Sequence, residues 1–165
     1  MSRKSIKYLT HAAIIAAIYI VLTILAAGFD LASGAIQVRF SEALTVLPYF
    51  TPAAIPGVTI GCFLSNLFTG CLPPDVIFGT LATFLGAIGT YFLKKHKYLC
   101  PLPPIISNAV IIPQILSRAY HIPGSIPFLM LTVGIGEIIS CYIPGLLLLR
   151  ALEQFRAQLF NTTKA

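Results

Sequence analysis

The side chains of this chain that could do chemistry are a few acids in apolar surroundings. The chain has 165 residues and only five carboxylates, and four of these lie inside or beside apolar stretches: Asp30, Glu42, Asp75 and Glu137. An ionised side chain at the centre of a lipid bilayer costs roughly 2.5 kcal/mol or more on insertion scales. We therefore expect these acids to face one another, a water-filled cavity or a polar ligand. The fifth acid, Glu153, lies near the charged C-terminal tail.

The composition is that of an integral membrane protein. Hydrophobic residues make up 57% of the chain and charged residues 10%, whereas soluble domains carry about 25% charged residues. The net charge of +6 comes from basic residues beside apolar segments, so it indicates membrane topology rather than nucleic-acid binding. The length predicts one domain, residues 1–165. The four cysteines form no C-x-x-C pair and are interpreted as small apolar residues.

The apolar stretches predict an all-α integral membrane protein with six transmembrane helices. About 20 apolar residues, at a rise of about 1.5 Å each, cross the bilayer core. The first stretch is longer than the apolar region of a signal peptide, so we expect it to be retained. Spans two and five are short and polar, which predicts that they are buried in protein or line a cavity. The six predicted spans are Tyr8–Gly28, about Ala35–Tyr49, about Ala53–Phe68, Val76–Leu93, about Pro104–Arg118 and Ile126–Arg150.

Basic residues predict the orientation of these spans. They cluster before span one, between spans four and five, and after span six, as Arg3/Lys4/Lys7, Lys94/Lys95/Lys97 and Arg150/Arg156/Lys164. An even number of spans places all three clusters on one side of the membrane, and the positive-inside rule makes that side cytoplasmic. We therefore expect a multi-pass membrane protein with both termini in the cytoplasm.

Catalytic signatures give no support for an enzyme. The sequence contains no Walker A motif, no H-E-x-x-H and no G-x-S-x-G. Its three histidines, His11, His96 and His121, lie near span ends or among lysines and are interpreted as interfacial residues. We expect no cofactor and no metal, and we expect that the chain does not hydrolyse ATP by itself.

One polar group falls in the second predicted span and consists of Gln37, Arg39 and Glu42. Arg39 and Glu42 are three positions apart, so on a helix they could form a salt bridge that only neutralises the two charges. Alternatively, the group lines a binding site. The planar donors of a guanidinium and the planar acceptors of a carboxylate match the edges of a heterocycle. Both interpretations can hold together.

A second group lies in the last two predicted spans. A buried Glu137 needs a partner, which could be Arg39 or Arg118. It could instead be a guanine-like ligand, whose N1–H and exocyclic N2–H are parallel donors suited to a carboxylate. Asn108 and Gln114 lie in the middle of span five, where amides either join helices or bind ligand.

Two further candidates flank the outer end of spans three and four. Asn66 lies near the end of span three, and Asp75 opens span four directly after Pro74. A carboxylate at that position could simply favour the positive end of the helix dipole. It could also belong to the binding site, so both interpretations stay open.

Small residues recur at four-residue spacing in the first span. Such spacing makes a smooth strip on which another helix can pack closely, either inside the bundle or on a partner protein. The positions concerned are the pairs Ala12/Ala16 and Ala13/Ala17, with Gly57/Gly61 as a further instance in span three.

Two stretches of the chain resemble a known family. Residues 36–57, IQVRFSEALTVLPYFTPAAIPG, and residues 75–83, DVIFGTLAT, are similar to signatures of the QueT family. The resemblance extends over nearly the whole chain, including its length, its six predicted spans and its basic ends. It is less distinctive from about residue 94 onward.

This resemblance implies a multi-pass protein of the bacterial cell membrane with a transport function. QueT proteins are queuosine-precursor transporters and are substrate-binding (S) components of energy-coupling factor importers. Such a component binds its ligand at the outer side and associates with a membrane coupling protein and two cytoplasmic ATPases. The family then implies a 7-deazaguanine ligand, either the cyano form, the aminomethyl form or queuine. It also implies a ligand site near residues 37–42, 108, 114 and 137, and docking of the coupling protein on an A-x-x-x-A strip of the first helix.

Three alternatives remain at this point. The chain could be an S component for a different vitamin on the same scaffold. It could work alone as an ion-coupled secondary transporter with Glu42 and Glu137 as proton relays. It could also be a structural membrane subunit whose acids only pair internally.

Overall fold

The computed structural model of the chain describes residues 2–29 and 39–160, so the candidates Asp30 and Gln37 lie outside the described residues. Within these ranges the regular structure is entirely helical. In chain order the elements are α1 (Arg3–Gly28), a 3-10 helix (Phe40–Tyr49), α2 (Ala54–Phe68), α3 (Pro73–Phe92), a short 3-10 turn (Lys97–Leu99), α4 (Leu102–Arg118), α5 (Ile126–Glu137), a π-helical turn (Ile138–Tyr142), α6 (Ile143–Glu153) and α7 (Arg156–Leu159).

The prediction of an all-α multi-pass membrane protein is confirmed. Four helical stretches in the described residues are long and apolar enough to cross a bilayer: Lys4–Gly28, Pro73–Phe92, Lys97–Arg118 and Ile126–Glu153. The last of these joins α5 and α6 through the π-helical turn, which directly precedes Pro144. Proline lacks a backbone N–H, so it cannot continue the regular hydrogen-bond ladder at this point.

The second and third predicted spans are short helices within the described residues. The described part of span two is a 3-10 helix of ten residues with Pro48 inside it, and at about 2.0 Å per residue it covers only about 20 Å. The third, α2, has 15 residues. Neither reaches the roughly 30 Å of a bilayer core. The 3-10 helix is enclosed by α1, α2, α3 and α6. Irregular backbone is tolerated at membrane depth when protein surrounds it in this way.

Close packing of α1 on α2 depends on two glycines. A Cβ atom added at Gly57 would lie 2.9 Å from the carbonyl oxygen of Ala12, and one added at Gly61 would lie 2.7 Å from Cβ of Tyr19. Both positions therefore leave no space for a side chain. The Ala12/Ala16 face of α1 is buried in this contact, so one of the two predicted alanine strips serves packing within the chain.

Polarity is distributed as expected for a protein in lipid. Large apolar side chains are exposed on the outer faces of the helices, among them Ile18, Val21, Ile77 and Leu131. The interior of the bundle instead holds polar residues, including Ser41, Thr45, Ser65, Asn66, Thr83 and Thr90. Because hydrocarbon cannot satisfy their hydrogen bonds, these groups must find partners inside the bundle. Glu153 lies apart from them and forms an ion pair with Lys97.

Candidate functional site

A small cavity lies inside the bundle, where the start of the 3-10 helix meets α3, α4 and α5. Four of the eight predicted ligand-binding residues line it, namely Arg39, Glu42, Asn108 and Glu137. The rest of its lining is formed by Gly79, Thr83, Ile112 and Val133. The fold thus brings together side chains that are far apart in the sequence. The rest of the cavity wall is partly apolar.

The backbone before the 3-10 helix positions Arg39. This residue is extended, with φ −116° and ψ 108°, and its N–H donates to Oγ of Ser140 at 3.2 Å. Because Arg39 precedes the helix, the three-residue spacing to Glu42 does not bring the two side chains together along one helix face. Among the described residues, Arg39 forms its ion pair with Asp75, and the alternative in which it pairs with Glu42 is not found there.

Glu42 is held by the first helix. Its side chain is 2% exposed, and the hydroxyl of Tyr19 donates to its Oε1 at 2.6 Å. Its other oxygen, Oε2, is buried and has no hydrogen-bond partner among the described residues. Tyr19 was not among the predicted site residues, because a single tyrosine in an apolar span has no distinguishing sequence pattern.

Glu137 is arranged in a similar way on α5. It is 9% exposed, and Nδ2 of Asn108 donates to its Oε1 at 2.8 Å. Its Oε2 is likewise buried without a hydrogen-bond partner in the described part of the chain. Neither Arg39 nor Arg118 forms an ion pair with Glu137. The amide of Asn108 thus joins α4 to α5 and leaves the other carboxylate oxygen of Glu137 without a donor among the described residues.

Asn66 and Asp75 both contact the guanidinium of Arg39 beside the cavity. Nη2 of Arg39 lies 3.9 Å from Oδ2 of Asp75, and Nη1 donates to Oδ1 of Asn66 at 3.4 Å. The hydroxyl of Tyr120 donates to the same Oδ2 of Asp75 at 3.1 Å. Asp75 also stands in the first turn of α3, so the favourable helix-end position and the contact with the site group hold together.

Tyr120 lies in the turn between α4 and α5, outside the apolar helices that could span the membrane. Burial, together with the nearby charge of Asp75, raises the pKa of Tyr120 to about 12. At neutral pH the hydroxyl is therefore protonated and can donate to Asp75. No sequence pattern distinguished this tyrosine from the six others in the chain.

Gln114 does not belong to the cavity. It lines a separate apolar groove on the outer face of α3 and α4, together with Phe78, Ile111 and Arg118. The reason is helical geometry: Gln114 follows Asn108 by six positions, and six steps of about 100° place it roughly 120° away around α4. Asn108 faces inward, so Gln114 faces the lipid side.

Charge in the site is unbalanced. Three buried carboxylates, Glu42, Asp75 and Glu137, surround a single guanidinium, Arg39, and each carboxylate has one oxygen with no hydrogen-bond partner among the described residues. Fully ionised, these four groups carry a net charge of −2. Buried acceptors and buried charges are costly unless they find donors or cations. The arrangement is therefore suited to a ligand that brings several hydrogen-bond donors and positive charge.

The cavity is narrow in this conformation. Its volume is about 20 Å³, which is enough for about one water molecule. A bicyclic base would require the lining side chains to move apart. The flexible candidates for such movement are the long side chains of Arg39, Glu42 and Glu137.

Two comparisons with known proteins gave matches. A family model described as "QueT transporter" matches residues 9–154 of the chain. The chain is 39% identical over 86 residues to the queuosine precursor transporter QueT of Lactococcus lactis subsp. cremoris (strain MG1363), an alignment that covers 52% of this chain and 50% of that protein. The chain therefore spans about half the length of the curated relative that it matches. No solved structure matches the chain.

Proposed function

Because the chain belongs to the QueT transporter family, we propose that it is a substrate-binding S component that captures a queuosine precursor for an energy-coupling factor importer. The observation that carries this proposal is the pair of buried carboxylates at the cavity. Glu42 and Glu137 each keep one oxygen without a hydrogen-bond partner among the described residues. A 7-deazaguanine has the matching donors on its N1–H and its exocyclic N2–H.

Roles follow for the other cavity residues. Either Glu42 or Glu137 accepts from the donor edge of the base, and the amide of Asn108, which already contacts Glu137, bonds to the ring or its carbonyl. Arg39 contacts the base from the opposite side while Asn66 and Asp75 hold its guanidinium. The described geometry gives no such role to Gln114, which faces the outer groove.

The charge of the site favours one group of precursors. The aminomethyl form and queuine both carry an aliphatic amine that is protonated at neutral pH. The cyano form is neutral. A site with three buried carboxylates and one guanidinium gains more from a cationic ligand than from a neutral one. We infer that the amine-bearing precursors bind more tightly than the cyano precursor.

The proposed topology has six membrane-embedded segments with both termini in the cytoplasm. The 3-10 helix and α2 form two of these segments inside the bundle, beside the four long stretches. This count keeps the three basic clusters on one side of the membrane, as the positive-inside rule requires. It also places Asp75 and Tyr120 at the outer side, so the cavity lies towards the side from which a nutrient would arrive.

Docking of a coupling protein is proposed on the exposed alanine strip of α1. Ala12 and Ala16 are buried against α2, whereas Ala13 and Ala17 are exposed. Only the second pair is available to another helix. Exposed small residues at this spacing allow close approach of a partner backbone. The partners of the proposal are a membrane coupling protein and two cytoplasmic ATPases, which supply the ATP hydrolysis.

A second candidate function is uptake by the chain alone, coupled to protons. The two buried carboxylates at the cavity support it as well, because acids inside membrane proteins also serve as proton relays. An uptake experiment separates the two functions. Proteoliposomes would hold the chain either alone or with the coupling protein and ATPases of the same bacterium, and would be given the labelled aminomethyl precursor.

Uptake that requires both the partners and ATP is the expected result. Uptake by the chain alone, driven by a pH gradient and unaffected by ATP, would contradict the S-component role and favour the second candidate. Labelled guanine serves as the control ligand, because it has the same N1–H and N2–H donor edge but lacks the aminomethyl group.

A further inference from the structure

The hydroxyl of Tyr120 connects two turns of the chain to the cavity. It accepts a hydrogen bond from the N–H of Leu72, in the turn before α3, at 3.2 Å. It also donates to Oδ2 of Asp75, in the first turn of α3, at 3.1 Å. A residue between α4 and α5 is thereby tied to the start of α3, although the two positions are 45 residues apart in the sequence.

Asp75 in turn forms an ion pair with Arg39. Oδ2, the oxygen that accepts from Tyr120, is also the one that lies 3.9 Å from Nη2 of Arg39. The other described bond of this guanidinium, to Asn66, measures 3.4 Å. Both distances exceed the roughly 2.7–2.9 Å of a strong charge-assisted hydrogen bond. The guanidinium is therefore held mainly by charge, and among the described residues Asp75 is the carboxylate within ion-pair distance of it. A change in the orientation of the Asp75 carboxylate would therefore change the position of Arg39.

We propose that Tyr120 is a positioning residue of the ligand pocket: its hydroxyl orients Asp75, and Asp75 keeps the guanidinium of Arg39 at the cavity wall. This inference rests on the proposed function, in which Arg39 contacts the ligand. Tyr120 lines neither the cavity nor the groove. Its effect on the ligand is therefore indirect and passes through Arg39.

A double-mutant cycle tests this indirect effect. Tyr120→Phe removes only the hydroxyl. In the full chain in detergent, we expect it to weaken binding of the aminomethyl 7-deazaguanine about tenfold, the size typical of a hydrogen bond to a charged group. In an Arg39→Gln background, Tyr120→Phe should change affinity less than about twofold, because the residue through which it acts is gone.

Tyr98→Phe is the matched control. Tyr98 lies in the short 3-10 turn Lys97–Leu99 and is 58% exposed, so its variant should bind like the parent. Equal affinity of Tyr120→Phe and the parent would overturn the proposal. So would an equal loss from Tyr120→Phe in both backgrounds, since that would show an effect independent of Arg39.

A readout without ligand separates this inference from the proposed function. The Nε–H resonance of Arg39 can be assigned by its disappearance in Arg39→Lys. We expect it to be sharp in the parent and in Tyr98→Phe, and shifted or broadened in Tyr120→Phe. An unchanged resonance in Tyr120→Phe would overturn the positioning role. If the parent binds no deazaguanine, the proposed function fails, while this resonance still decides the role of Tyr120.

Discussion

Tyr19 and Glu42 form a 2.6 Å hydrogen bond that joins α1 to the 3-10 helix at the cavity. The same tyrosine packs against Gly61 of α2. The helix that carries the exposed alanine strip is therefore also the helix that holds one of the two cavity carboxylates. A second hydrogen bond, from the hydroxyl of Thr23 to Oγ of Ser41 at 2.8 Å, also joins α1 to the start of the 3-10 helix.

We predict that Tyr19→Phe destabilises the chain. Removal of the hydroxyl takes away the donor to Oε1 of Glu42, whose Oε2 already has no partner among the described residues. An unsatisfied buried group costs about 1–3 kcal/mol. Thermal unfolding in detergent measures the loss. Tyr8→Phe is the control, because Tyr8 is on the same helix but exposed. Equal stability of the two variants would show that the Tyr19–Glu42 hydrogen bond does not contribute to the stability of the chain.

We predict that Glu137→Gln and Glu42→Gln each weaken binding of the aminomethyl precursor about 10- to 100-fold. Each substitution keeps the shape of the side chain but removes a charged acceptor, and hydrogen bonds to charged groups contribute about 1.5–3 kcal/mol. Isothermal titration on the purified variants gives the affinities. The control is Glu153→Gln, which removes a carboxylate that pairs with Lys97 away from the cavity. Parent-like affinity of both cavity variants would show that the two carboxylates do not bind the ligand.

We predict that Gly61→Ala costs about 1–3 kcal/mol of stability, as overpacking usually does. The added methyl would meet Cβ of Tyr19 at 2.7 Å, so α1 and α2 would have to separate. Gly134→Ala on α5 is the matched control, since the nearest atom to its Cβ would be 4.0 Å away and alanine is the better helix former. Chemical denaturation of both variants provides the comparison, and a neutral Gly61→Ala would contradict the close helix contact.

We predict that Ala17→Leu abolishes assembly with the coupling protein and leaves ligand binding unchanged. Ala17 is exposed, so the larger side chain fits the isolated subunit but blocks close approach of a partner helix. Co-purification with the tagged coupling protein measures assembly. Val110→Phe, on the exposed face of α4, adds comparable bulk elsewhere and should assemble normally. Intact assembly of Ala17→Leu would exclude this strip as the docking surface.

The sequence pattern predicted the long apolar helices. Length and hydropathy are sufficient to identify the long helices, because each contains about 20 consecutive residues that are mostly apolar. The 3-10 helix of residues 40–49 was not foreseen. Its backbone depends on the surrounding helices rather than on its own apolar pattern.

The residues that line the cavity were predictable where a charged or amide side chain was conspicuous in an apolar span. Arg39, Glu42, Asn108 and Glu137 all line the cavity. Pairing was harder to foresee, because the partner of an acid is set by how helices pack. Tyr19 and Tyr120 complete the polar network, yet tyrosines are common at such positions and carry no signal in one sequence.

The measurement closest to the central claim is thermal stabilisation of the purified chain by a ligand panel. The panel holds the aminomethyl precursor, queuine, the cyano precursor, guanine, riboflavin, thiamine and biotin. A ligand that binds only the folded state adds about 2.7 kcal/mol of stability at a hundredfold excess over Kd. We predict stabilisation by the deazaguanines, largest for the two that carry an amine. Stabilisation by another vitamin, or by none of the panel while the chain is shown to be folded, would contradict the proposal.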